Sequence, residues 1–104
     1  MKASLPRAVA EARITCSSCP WQAEGRIWDG PWFYCRIRSG TASLGLGVSK
    51  DEAVEDGVYG GRQLVDYEHG GDVSVPWCPT DAEAWVLFDL LLAMRVPAIP
   101  GRSS

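Results

Sequence analysis

The chain has 104 residues, 46% hydrophobic and 22% charged, with a formal net charge of −3. That length suffices for one domain with one modest core and not for two, and the apolar fraction argues against global disorder. The charge is uneven: residues 1–50 carry seven Lys or Arg against three acids, and residues 51–104 carry three Arg against ten acids. Such a split suits a polyanion-binding face beside a basic-partner-binding face, or two halves that pair with each other in the fold.

The first residues, MKASLPRAVAEAR, lack an apolar core region, so nothing there reads as a secretory signal. Residues 6–13 are expected to form a short helix opened by Pro6, or a frayed tail. Ile14-Thr15-Cys16 reads as a brief strand. Gln22–Trp28 and Trp32–Arg38 flank Asp29-Gly30-Pro31, a strong hairpin signal. Ser39–Gly47, rich in glycine and small residues, is expected to be a loop. Ser49 followed by Glu52 is a capping box and predicts a helix over Lys50–Asp56, ended by Gly57. Arg62–His69 and Asp72–Trp77 read as a second hairpin around Gly70-Gly71.

Thr80 followed by Glu83 is another capping box, and the helix it opens should run to Met94 or Arg95, because Val96 precedes Pro97. The apolar run inside Ala84–Met94 is interrupted by Asp89 and is too short to span a bilayer. A cytoplasmic location with no membrane is therefore expected. Thiols stay reduced there, and clustered cysteines more often bind metal than form disulfides.

The four cysteines are Cys16, Cys19, Cys35 and Cys78. A two-residue gap lets Cys16 and Cys19 point into one tetrahedral site. Alternation puts Phe33, Cys35 and Ile37 on the apolar face of the hairpin. Cys78 lies just ahead of the last helix, where the helix dipole favours a thiolate. Each cysteine segment also holds a proline and a tryptophan: Cys19-Pro20-Trp21, Pro31-Trp32-Phe33-Tyr34-Cys35 and Pro76-Trp77-Cys78-Pro79. These can shield sulfur–metal bonds from water. The leading expectation is a closed, structural zinc site of all four cysteines. The alternatives are three cysteines with His69, a redox pair at Cys16 and Cys19, or inert thiols and disulfides.

A knuckle, a hairpin and a ligand ahead of a following helix resemble the treble-clef class of zinc fingers, and knuckle plus hairpin is similar to a zinc ribbon. The resemblance covers Cys16–Cys35, Cys78 and the helix after it. Together the elements predict an α+β fold: a zinc knuckle, a small antiparallel sheet of β-hairpins and one long C-terminal α-helix. Residues 1–97 would form the single zinc-stapled domain and residues 98–104 a disordered tail.

Enzyme activity is not expected. His69 is the only histidine, set among Asp66, Glu68 and Asp72 at a predicted turn, and no phosphate loop, nucleophile elbow or HExxH is present. Two surfaces remain. The outer face of the first hairpin should show Glu24, Arg26, Trp28, Trp32, Tyr34, Arg36 and Arg38, a set that suits nucleic acid or a protein hot spot unless the fold covers it. The last helix is apolar on nearly every side, so some of its residues, Leu91 taken as the representative, need a second surface: the remaining chain, a homodimer or a protein partner. The function these features favour is a zinc-stapled, protein-binding regulator, adaptor or inhibitor of a nucleic-acid-handling machine. Phage-borne inhibitors such as anti-CRISPR proteins are of this size. The alternative is direct nucleic-acid binding through the hairpin face, and a third reading is a small redox or hydrolytic enzyme.

Overall fold

A computed structural model describes residues 5–17, 20–28, 30–59, 62–71 and 73–95, without the side chains of Val58, Tyr59, Arg62, His69 and Arg95. Five strands, β1 (Val9–Ser17), β2 (Trp21–Ile27), β3 (Trp32–Arg38), β4 (Thr41–Gly47) and β5 (Arg62–Val65), form one antiparallel sheet in sequence order. Helices α1 (Lys50–Tyr59) and α2 (Asp81–Arg95) complete the α+β architecture.

Alternation builds the sheet's two faces. Trp21 and Ala23 of β2, Phe33, Cys35 and Ile37 of β3, and Ala42 and Leu44 of β4 are buried on the inner face. There α2 lies against them. Trp21, Phe33, Trp85 and Phe88 make edge-to-face contacts at centroid distances of 4.8 to 6.3 Å, the arrangement aromatic quadrupoles favour. The Trp21 indole N–H donates to Asp81 Oδ1 at 2.9 Å, joining β2 to the first turn of α2. The Thr80 box forms as its sequence predicts, with Glu83 N donating to Thr80 Oγ1 at 3.1 Å and Thr80 N to Glu83 Oε1 at 2.9 Å.

The outer face carries α1. It crosses β4 where the outward positions are Gly45 and Gly47, so that the helix backbone can lie on the sheet backbone. This explains why Ser39–Gly47 is a turn and a strand, not the expected loop. Ser39 (φ 52°) and Gly40 (φ 78°) make a two-residue turn with both φ positive, which matches strand twist, and the glycines of β4 are clearance for α1. Gly57 likewise does not end α1 but sits within it, at the approach to Gly45 and Tyr34. Beyond the reach of β5, Leu46 N donates to Asp56 Oδ2 at 2.9 Å, so α1 satisfies part of the β4 edge.

Two further expectations are corrected. The segment PRAVAEAR contributes to β1 instead of a helix, because its residues from Val9 pair with β2. Residues 62–77 do not form a hairpin: β5 pairs with β4, and a 3-10 turn at Tyr67–His69 leads to a single parallel bridge between Asp66 and Val73. The expected tail at 98–104 lies outside the described residues. Among those residues, no helix is long and apolar enough to cross a membrane.

Candidate protein-interaction site

The zinc-finger resemblance is overturned by where the cysteines sit. Ile14 pairs with Ala23, but Cys16 pairs with Gln22: Thr15 is an extra residue, a bulge that shifts the register by one. Partners across a sheet share a face, so Cys16 turns to the outer face with Gln22. Cys35, opposite Ala23, stays on the inner face. Cys35 is fully buried under α2, and loss of hydration pushes its thiol up to about 12. Cys78 is disulfide-bonded, with its partner outside the described residues, whereas Cys16 and Cys35 are free thiols. Cys19 and the His69 side chain fall outside the description. Among the described residues, no group of three or more His, Cys, Asp or Glu is placed to hold a metal. Disulfides persist in oxidising compartments, so the reduced-thiol expectation does not extend to Cys78.

Two of the three Pro/Trp segments nevertheless meet. Pro20 and Trp77 line one groove with Arg38 and Ser39, and Trp21 bonds Asp81. Hydrogen bonding and aromatic packing join the hairpin to the last helix where a metal clamp was expected.

The register brings most of the hairpin set onto one outer face, with Glu24 opposite Tyr34 and Arg26 opposite Trp32. Trp28 and Arg38 are exposed, while Arg26, Trp32, Tyr34 and Arg36 are half-buried. The Arg26 guanidinium lies 3.8 Å from Glu11 of β1, the Lys50 ammonium sits 5.1 Å over the Trp32 ring, and Tyr34 lies under Gly57 of α1. Arginine and acid thus alternate on this face, with Arg13 opposite Glu24 and Glu11 opposite Arg26.

Leu91 belongs to the core and is fully buried. The exposed large apolar residues of α2 are Val86 (60%), Leu90 (45%) and Met94 (39%), each four residues from the next and so on one line along the helix. Glu83 and Asp89 share that side. Sequence inspection had a usable signal here: the two acids mark the outward side, and Val86 and Leu90 fall beside them at helical spacing.

Beside this line runs a groove of about 420 Å³, lined by Tyr67, Val73, Ser74, Pro76, Glu83, Val86, Leu87 and Leu90. Its far wall is held by Asp66, whose carboxylate accepts from Glu68 N at 2.9 Å and from Val75 N at 2.7 Å. Tyr67 N donates to Val73 O at 3.0 Å, and Gly70, at φ 89°, turns the chain back. These bonds fix the wall while leaving the Tyr67 ring 65% exposed. Asp89, at the stripe's other flank, has a carboxyl held above the usual carboxylate range by partial desolvation. The arrangement offers apolar burial with acids at its borders. Comparison with protein-family models, with curated proteins and with solved structures gives no match for this chain.

Proposed function

We propose that this chain is a non-enzymatic protein-recognition module that uses the outward side of α2 and the Tyr67 wall to hold a partner, in the role of a regulator, adaptor or inhibitor. One observation carries the reading. Val86, Leu90 and Met94 stay exposed in a line on a helix whose other side already fills the core with Ala84, Trp85, Leu87, Phe88 and Leu91. Contiguous apolar surface of this kind on a rigid element marks interaction sites. Direct nucleic-acid binding through the hairpin has less support, because Glu11 and Glu24 interleave with its arginines and Lys50 occupies the Trp32 ring.

The test places a photo-crosslinking amino acid at position 90 and, separately, at Val48, which is 80% exposed and remote in sequence from the groove. In extract of the native host, position 90 should give a discrete protein adduct that position 48 does not. A nucleic-acid adduct, or the same pattern at both positions, overturns the reading.

A further inference from the structure

We propose that the occupant of the α2 groove is a cationic amphipathic helix of a partner protein, an assignment that rests on the protein-recognition reading and names its partner's chemistry. Three observations combine. The first is shape. Val86 to Met94 makes a straight apolar ridge of about 12 Å at 1.5 Å per residue, with a groove alongside it. A ridge of i, i+4 side chains beside a groove is complementary to the i, i+3, i+4, i+7 anchors of an amphipathic helix.

The second is charge. The charged residues of α2 ahead of its C-terminal Arg95 are all acidic: Asp81, Glu83 and Asp89. Asp81 is taken by Trp21, but Glu83 lines the groove and Asp89 lies three residues from Val86 on the other flank of the ridge. Apolar side chains of the bound helix seat between these acids, and its Lys or Arg side chains reach them. The third is exclusion. Two copies of this face in an antiparallel pair centred near Leu90 would set their Asp89 carboxylates side by side, and like charges across an interface disfavour it. The same acids repel a nucleic-acid backbone.

The test uses the full chain and three labelled peptides of about four turns: a Leu/Lys amphipathic helix, a scramble of the same composition, and the counterpart with Glu for Lys. The Leu/Lys helix should bind more tightly than the Leu/Glu helix by about tenfold, the order expected for two charge pairs. It should also outbind its scramble. Asp89→Lys should erase the charge preference, and Leu90→Ser should weaken the Leu/Lys helix. The double variant Asp51→Asn with Glu55→Gln removes the same net charge from exposed positions of α1 and should leave the preference intact. Melting curves confirm that each variant folds; Asp89→Asn substitutes if the lysine variant does not. Equal affinity for both charge types overturns the proposal. So does a preference lost equally in the α1 variant, which would signify attraction by net charge alone. A sedimentation mass of two chains, reduced to one by Leu90→Ser, assigns the face to a second copy and also overturns it. Failure of the peptides alongside a protein adduct at position 90 removes only the cationic-helix assignment; failure of both removes the recognition reading as well.

Discussion

Gly45 of β4 and Gly57 of α1 meet backbone to backbone, so close that a Cβ on Gly45 would lie 2.6 Å from the Cα of Gly57. The two glycines are not equivalent. A Cβ on Gly57 would meet the edge of Tyr34 at 3.1 Å and the backbone N of Gly45 at 3.3 Å, both tight but neither an overlap. Gly45→Ala must therefore push α1 off the sheet and is expected to destabilise by about 1–3 kcal/mol. Gly57→Ala recovers about 1 kcal/mol of helix propensity against a mild clash and should be close to neutral. Urea unfolding of the two variants checks this, and equal losses would refute the asymmetry.

The bond from Trp21 Nε1 to Asp81 Oδ1 spans 60 residues of sequence and has a buried indole at one end. Removing the acceptor leaves that N–H without its partner. Asp81→Ala should cost about 1.5–3 kcal/mol, the range for a hydrogen bond to a charged group. Asp81→Asn retains an oxygen acceptor and should lose less. A thermal melt in which the two variants coincide would mean that the contact carries little.

Cys78 predicts a redox response in place of a metal response. In denaturant without reductant, the thiols of Cys16 and Cys35 should titrate, and Cys78 only after reduction. Dithiothreitol should lower stability by about 2–4 kcal/mol, the usual contribution of a disulfide, while EDTA should not move the melting temperature. Loss of the fold in EDTA alone would restore the case for a structural metal.

Cys35 makes stability fall at high pH. Burial raises its thiol from 9.0 to about 12, so the folded chain keeps this proton where the unfolded chain loses it. The contribution is complete below pH 9.0 and is lost as the pH rises toward about 12, with a slope of about 1.4 kcal/mol per pH unit. Subtracting the profile of Cys35→Ala isolates this slope from other groups. Parallel profiles for the two proteins would refute it. At neutral pH, alkylation should reach Cys16 well before Cys35.

The parts of the fold that were legible in the sequence are those specified by neighbours along the chain. Phe33, Cys35 and Ile37 alternate with polar residues and lie buried, and the Thr80 box opens α2 where its side chains require. What was misread depends on distant segments. The glycines of β4 make sense only beneath α1, and Val9 joins a strand because Ile27 lies opposite it. The cysteine spacing suggested convergence, but the single extra residue at Thr15 reverses the side to which Cys16 points. Leu90 and Leu91 are chemically identical neighbours with opposite fates, and only the position of the sheet separates them.

The strand order has a bearing on how the molecule assembles. Each strand pairs with the next in sequence, so the sheet can zip from local contacts of low contact order, which favour fast folding. The inner face, by contrast, waits for α2, the last described element, before Trp21 and Phe33 are covered. A chain still emerging from the ribosome would hold a nearly finished sheet with a bare aromatic surface. That interval, and not the mature fold, is where aggregation should concentrate, and stalled chains ending before Asp81 should bind chaperones that completed chains escape.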